Sequence, residues 1–397
     1  MTNESVKERA DKVLVGNYGR YPVAFTEGTG CVLTDANGKK YVDFLAGIAV
    51  CSLGHCHPRI VNAIREQSER LIHVSNLYYT EAQTRLAELL VENSFGDKVF
   101  FCNSGAEANE AAIKLARIHA PAGKNKIISL TGAFHGRTMV TLAATGQARF
   151  CAGFEPIPTG FAAAPFADLD ALEAMIDDTV CAVLCEPLQG EGGVRPLGRE
   201  YLQGIRDICD RHGVLLIFDE VQTGVGRSGS LFAHQVFGVE PDIMTLAKGL
   251  ASGMPIGAII TRDAVAASLV PGSHGSTFGG NPVVCAAAST NLEVILEDGF
   301  LAEVKSVAEH LAQSLGKLVK EFPAIFTEER GLGLLRGLVM TEEGKKSGSK
   351  IVMEMLEKGF LINFAGGVAL RFAPPLVVSR EQCDSLAAAL REVLSVL

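Results

Sequence analysis

No cluster of lysine and arginine stands out in this 397-residue sequence, and its formal net charge is −9. A phosphate backbone needs a concentrated basic surface to displace its counterions, so a nucleic-acid partner is not expected. No apolar run approaches the roughly 20 residues that a membrane-spanning helix needs. The N-terminal MTNESVKERADKVL is polar where a signal peptide carries an apolar core, which sets the expectation of a soluble, cytoplasmic protein with no membrane partner. The motif GHCHP (54–58) lacks a paired Cys/His group at zinc spacing elsewhere, so no metal is expected there; its histidines read as closing a turn before a helix near Pro58. No strand candidate leads into a G-x-G-x-x-G turn with an acidic ribose partner. GVGRSG (224–229) follows Asp219 and opens no evident helix, which argues against a nicotinamide-dependent oxidoreductase. Internal repeats, low-complexity tracts and long linkers are missing too. The ten cysteines are scattered, several in apolar runs such as TVCAVLCEP (179–187), which suits buried thiols better than disulfides.

What is there is enough for a large core. Hydrophobic residues make up 48% and charged residues 20%, and the length suits a large domain with a smaller one attached. GCVLTDANGKKYVDF (30–44) carries two strand-like runs around Asn37-Gly38, a hairpin signal. Between about 58 and 285, strand candidates KVFFC (98–102), KIISL (126–130), CAVLCEP (181–187), VLLIFDE (214–220), IMTLA (243–247) and GAIIT (257–261) alternate with helical patterns. Among those patterns are EANEAAIKLARIHA (107–120) and REYLQGIRDICDRHG (199–213). Such alternation implies crossover units and an α/β fold with a largely parallel sheet between helices. After about 290 the pattern changes to a long amphipathic helix over 301–322, short strands and a closing helix over 384–397. The expected organisation is 1–55 as the N-terminal part of a small α+β domain, 56–288 as the large α/β domain, and 289–397 as the rest of the small one.

Two apolar runs each end on one charge, Asp219 and Lys248. A lysine there is ordinarily a solvated strand end. In open parallel sheets, however, ligands gather at the carboxyl ends of the strands, so both charges can face one crevice. NSGAEAN (103–109) follows another strand candidate and opens a helix. Ser104 could be an ordinary helix cap, yet Ser104, Gly105 and Ala106 also form a ready anion site of backbone amides and a hydroxyl. An anion cup, a carboxylate and a lysine on one crevice point to pyridoxal phosphate: the lysine for covalent attachment, the carboxylate to keep the pyridine nitrogen protonated.

The ordered motifs NYGRYPV, DFLAGIAV, LGHCHP, SNLYYTEAQ, NSGAEANEAAIKLAR, AFHGRT, EPLQGEGGV, LLIFDEVQTGVGRSG, LAKGL, GSTFGGNP, RGLGLLRG and LRFAPPL run nearly end to end. Together they resemble the class III, fold type I pyridoxal-phosphate-dependent aminotransferases. The family's phosphate motif has threonine where this chain has Ala106, which removes one side-chain contact and leaves the backbone donors. The resemblance implies pyridoxal 5′-phosphate as cofactor, with Lys248 as its covalent anchor and proton shuttle. It assigns Asp219 to the pyridine nitrogen, Gln222 to the phenolic oxygen and Phe134 to the ring face. Ser104, Gly105 and Ala106 fall to the phosphate, and Thr277 to the phosphate of a neighbouring subunit, so a homodimer with shared active sites is implied.

On the substrate side the resemblance implies Arg137 for the carboxylate farther from the reacting carbon and Arg371 for the α-carboxylate of glutamate or 2-oxoglutarate. Planar bidentate recognition of a carboxylate suits arginine. Glu191, otherwise an ordinary loop acid, would pair with Arg371 when the donor reacts through a terminal amine. Ser276 is placed near the substrate, and Tyr18 and Arg20 at the far end of the pocket. Ornithine-specific relatives carry a tyrosine where this chain has Ile48, which favours an N-acylated donor. The implied substrates are N2-acetylornithine and 2-oxoglutarate; ornithine, N-succinylornithine, N-succinyl-diaminopimelate and 4-aminobutyrate are the alternatives. A decarboxylase or aminomutase of the same fold, or a non-catalytic binding protein that kept it, fits less well with Lys248, Asp219, both arginines and Glu191 all present.

Overall fold

Four nearly uninterrupted apolar runs become the parallel centre of a seven-stranded sheet in the computed structural model, which describes residues 1–397. The strand order is Lys98–Cys102, Gly257–Thr261, Ile243–Leu246, Leu215–Asp219, Val180–Cys185, Lys126–Leu130, Phe161–Ala164. Strands buried on both faces have no solvent side to alternate with, so they read as continuous hydrophobic runs; all six residues of Val180–Cys185 are buried. The expected strands form. Phe161–Ala164 was not anticipated, because FAAA has neither the β-branched character nor the alternation that marks a strand. It is held by parallel pairing to Lys126–Leu130 at the sheet edge. GAIIT also departs from the crossover pattern, pairing antiparallel with both neighbours. A parallel return takes a crossover of about a dozen residues or more, and the short link 247–256 turns straight back.

Register sets the site. Phe218 pairs with Cys185 and Asp219 with Thr245 across parallel neighbours, so the carboxyl ends of three strands form one ledge. Helix Gly105–His119 packs against this sheet through Leu115 and through Ala108, Ala111, Ala112 and Ala116, small residues that allow close approach. On the other face helix Arg199–His212 buries Tyr201, Leu202, Ile205, Ile208 and Cys209 at helical spacing and stops at Gly213, whose φ of 59° is left-handed.

Besides a two-stranded ribbon of Leu188–Gln189 and Arg195–Pro196, two four-stranded sheets accompany the large one. Phe25–Thr29, Val32–Asp35 and Lys40–Asp43 form the expected hairpin region, joined in parallel by Phe360–Leu361 from the far end of the chain. The other sheet orders Phe326–Leu332, Leu335–Met340, Ala369–Phe372 and Asn363–Ala365, and it delivers Arg371. Helices Phe300–Glu321 and Arg380–Leu394 pack together beside it, with Leu311, Leu315, Leu386 and Leu390 fully buried. Each such leucine contributes about 1.5–3 kcal/mol of hydrophobic stabilisation. All ten cysteines are unpaired and most are buried, which pushes thiols such as Cys102 and Cys285 up to about 12. No helix is long and apolar enough to cross a membrane.

Candidate active site

A cavity of about 400 Å³ opens at the carboxyl ends of the parallel strands, lined among others by Ser104, Gly105, Phe134, Asp219, Gln222 and Lys248. Asp219 is the last residue of its strand and only 4% exposed. Its Oδ2 accepts hydrogen bonds from Asn109 Nδ2 and the His135 ring, both at 2.8 Å, and its Oδ1 accepts the Val221 N–H at 3.0 Å. Asn109 Oδ1 in turn accepts from Thr245 Oγ1 at 2.9 Å. A buried carboxylate survives only when donors surround it, and here they fix its direction as well. The other ring nitrogen of His135, Nε2, is buried and has no protein partner.

Lys248 follows the strand Ile243–Leu246 and opens a short 3-10 turn with φ at +40°, a conformation rare outside glycine. Strain of this kind persists where the surroundings over-determine it, commonly at active sites. Burial pushes the Lys248 ammonium below its ordinary value; the charges of Glu191, Asp219 and Glu186 work the other way without reversing the shift, and that of Arg371 reinforces it. A lysine so placed is closer to the free amine that a nucleophile requires.

At the cavity's opposite wall, helix Gly105–His119 begins. Ser104 Oγ caps it by accepting the Glu107 N–H at 3.2 Å. The Gly105 and Ala106 amides are first-turn donors with no partner inside the helix, and the helix dipole favours an anion there. A Cβ at Gly105 would stand 2.8 Å from Val221 Cγ1, so only glycine lets the backbone sit this close to the turn after Asp219.

The two distant candidates Glu191 and Arg371 meet. Arg371 is fully buried; its Nη1 donates to Glu191 Oε1 and, at 3.2 Å, to Gln222 Oε1, and its Nε donates to Asn363 Oδ1 at 3.1 Å. Its Nη2 is buried with no partner. Burial alone would push the Glu191 carboxyl up, but the charge and hydrogen bond of Arg371, with Lys248 and Arg137 behind them, hold it below the usual carboxylate range. Gly190 leaves no slack: a Cβ there would lie 2.1 Å from Gln222 Oε1. Gly190→Ala is therefore expected to displace Gln222 and loosen the Glu191–Arg371 pair, lowering stability by about 1–3 kcal/mol, as denaturant unfolding can check.

Phe134 forms part of the cavity wall and meets Phe150 edge-on, ring centroids 5.8 Å apart. The Arg137 guanidinium, exposed on the cavity rim, lies 5.4 Å from the Phe134 ring and 4.3 Å from that of Phe150. Stacked this way it is pre-aimed with its hydrogen-bonding edge free.

Ser104, Gly105, Ala106, Phe134, Arg137, Asp219, Gln222 and Lys248 thus share one cavity, with Glu191 and Arg371 joined to it through Gln222. Three candidates lie elsewhere in the single chain. Tyr18 is 68% exposed and stacks with Arg20 along a separate surface cavity beside the N-terminal helix. Thr277 is exposed and outside this cavity; Ser276 accepts from Asn103 Nδ2 at 3.1 Å and from the Gly279 N–H at 3.0 Å. Asn109, His135, Phe150, Thr245 and Glu186 were not anticipated. Two left a readable signal: Asn109 interrupts an alanine-rich buried helix face, and Glu186 follows an apolar strand just as Asp219 does.

The donor set fits pyridoxal phosphate. Unpartnered first-turn amides suit a phosphate, a carboxylate met only by donors suits a protonated ring nitrogen, and a lysine with depressed basicity suits an aldehyde. Comparison with known proteins agrees. The family model described as aminotransferase class-III matches residues 15–394. The acetylornithine aminotransferase of Methanocaldococcus jannaschii is 48% identical, covering 100% of this chain and 99% of its own. The crystal structure of ornithine aminotransferase from Toxoplasma gondii superposes with a TM-score of 0.95 at 33% identity, covering 100% of this chain and 96% of its own. That of N-acetylornithine aminotransferase from Stenotrophomonas maltophilia gives 0.83 at 37% identity, covering 96% and 97%.

Proposed function

This chain belongs to the class III aminotransferases, which use pyridoxal phosphate, and from that premise we propose that it transfers the terminal amino group of N2-acetyl-L-ornithine to 2-oxoglutarate. The products are N-acetyl-L-glutamate 5-semialdehyde and L-glutamate, a step of arginine biosynthesis. The observation that carries the reading is the buried Arg371 paired with Glu191. A fully buried arginine without a partner is costly. An enzyme whose two substrates alternate between presenting and lacking a carboxylate at one spot needs an internal substitute, and Glu191 is that substitute.

Pyridoxal phosphate, when bound, supplies an electron-withdrawing ring that acidifies the substrate C–H bond and stores the amino group between two half-reactions. The chain's own residues do the rest. Asp219, aimed by Asn109 and His135, would hold a proton on the ring nitrogen. The amides of Gly105 and Ala106, with the Ser104 hydroxyl, would hold the phosphate, and Phe134 and Gln222, which line the same cavity, would hold the ring. Lys248 would anchor the cofactor covalently through its amine, and the same amine would serve as the base that moves a proton at the substrate carbon. Arg371 grips the α-carboxylate of 2-oxoglutarate after Glu191 swings away, and Arg137 takes the more distant carboxylate.

The acetylated donor is supported by the relatives' names and by Ile48, an apolar residue where ornithine-specific relatives carry a tyrosine. A homodimer is supported by the exposed apolar side chains Leu77, Tyr78, Tyr79 and Phe278. Asn76 Nδ2 ties the two segments together through the Ser276 and Gly279 carbonyls, both at 2.9 Å. On that face Thr277 would reach the neighbouring subunit's phosphate with Ser276 bordering the substrate, and Tyr18, in its own surface cavity, would border the substrate from the N-terminal side. Ten unpaired cysteines accord with a reducing cytoplasm.

The visible absorbance spectrum tests this directly. A yellow protein bleached by N2-acetylornithine and restored by 2-oxoglutarate is expected. Bleaching only by ornithine, a succinylated amine or 4-aminobutyrate would replace the donor and leave the chemistry standing.

A further inference from the structure

Glu186 directly follows the apolar strand Val180–Cys185, is 5% exposed and lines the cavity with Asp219, yet no arginine or lysine forms an ion pair with it. Its two oxygens serve different loops. Oε2 accepts the Phe134 N–H at 3.0 Å; Oε1 accepts the Gly190 N–H at 3.4 Å. Phe134 heads the segment that also carries His135 and Arg137. Gly190 immediately precedes Glu191. The two loops touch again one turn on, where a Cβ at Gly192 would stand 2.8 Å from the Gly132 carbonyl oxygen. Gln189 Nε2 reaches the Thr131 carbonyl at 3.2 Å. Glu186 is thus the one cavity carboxyl that bridges the wall carrying Phe134 and the loop facing Arg371. Burial pushes its carboxyl up to about 7, with His135, the Phe134 N–H and Lys248 opposing and Asp219 reinforcing, and its hydrogen bonds come from those two backbone donors.

We propose that Glu186 is a positioning residue that ties the Phe134 wall of the cavity to the loop bearing Glu191, so that one buried carboxyl holds Glu191 in register with Arg371 and thereby sets the balance between amine donor and oxo acid. A carboxylate accepts from two convergent N–H groups, whereas a carboxamide of equal size accepts from one and turns its own N–H toward the other. Loss of the Gly190 bond frees Glu191 to leave Arg371 without any substrate present. The 2-oxoglutarate half-reaction then loses nothing, because it needs Arg371 uncovered. The amine half-reaction loses its charge balance. The substrates in this inference rest on the proposed aminotransferase reading; the loop geometry does not.

The test uses holoenzyme carrying Glu186→Gln, with Glu186→Asp as the variant that keeps the charge. Hydrogen exchange by mass spectrometry reads peptides over 132–137 and 188–194, with and without pyridoxal phosphate, and 311–318 as a remote control. Exchange over 188–194 is expected to rise roughly tenfold in Glu186→Gln, the factor that accompanies one lost hydrogen bond to a carboxylate, with a smaller change over 132–137, where the carboxamide oxygen still accepts, the control unchanged and Glu186→Asp intermediate. Rapid-mixing absorbance then follows the two half-reactions separately. The apparent affinity for N2-acetylornithine is expected to fall by about tenfold on the same ground, while that for 2-oxoglutarate does not fall. Unchanged exchange over 188–194, or equal slowing of both half-reactions, overturns the proposal. If wild-type protein is not bleached by N2-acetylornithine, the donor assignment fails, and the exchange data still decide what Glu186 holds.

Discussion

Lys248→Ala is expected to give a folded protein that still takes up pyridoxal phosphate but has no covalent bond to it and does not turn over. A well-placed proton-transfer group contributes up to about 10⁴-fold, and loss of covalent anchoring adds to that, so steady-state activity falls to background. Stability does not fall with it. Burial holds the Lys248 ammonium below its ordinary pKa, which means that the folded state disfavours the charged form. At neutral pH, well below the unfolded value, that lysine subtracts from stability, and its removal lifts the deficit. Alanine also inherits the same left-handed φ of 40°, so backbone strain is unchanged. A melting temperature equal to or above that of the unloaded wild type, together with a spectrum lacking the lysine-bound band, is the expected pair of results. Near-normal turnover in this variant would remove the proposed chemistry.

The second large effect is selective rather than general. Arg371→Lys keeps a positive charge beside Glu191 but gives up the planar fork and its link to Asn363 and Gln222. The efficiency of the 2-oxoglutarate half-reaction is expected to drop roughly 10²–10³-fold, the range for one to two charge-assisted hydrogen bonds. The amine half-reaction, in which only Glu191 and no substrate carboxylate meets residue 371, is expected to change several-fold at most. Single-turnover absorbance with each substrate alone separates the two. An equal loss on both sides would mean that Arg371 supports the cavity and does not recognise the oxo acid.

Much of this arrangement was legible before any coordinates. Strands buried on both faces cannot hide polar residues, so VCAVLC and LLIFD declare themselves by composition alone, and a charge at the end of such a run, as at Asp219, is conspicuous. Edge strands carry no such obligation, which is why FAAA at 161–164 gave no sign. The direction of Gly257–Thr261 depended on the length of a link rather than on the strand's own residues. Within the site, residues that face the cavity carried motif-level signals, whereas the residues that aim them did not. His135 and Thr245 look like ordinary core polar residues until Asp219 and Asn109 are placed between them. Phe150 belongs to no pattern at all; its contact with Arg137 exists only because a loop folds back. The meeting of Glu191 and Arg371, drawn from resemblance, rests on a strand order in the smaller sheet that periodicity does not encode.

That Phe360 lies opposite Val42 has a consequence for how the molecule comes into being. The segment 25–43 leaves the ribosome early, and the edge that receives it is made only when nearly the whole chain has been synthesised. Until then Lys40–Asp43 carries an open row of amides and carbonyls, the kind of edge on which newly made chains join one another. Maturation of this protein therefore has a vulnerable interval that spans most of its own translation, and it closes last at the point where beginning and end are sewn together.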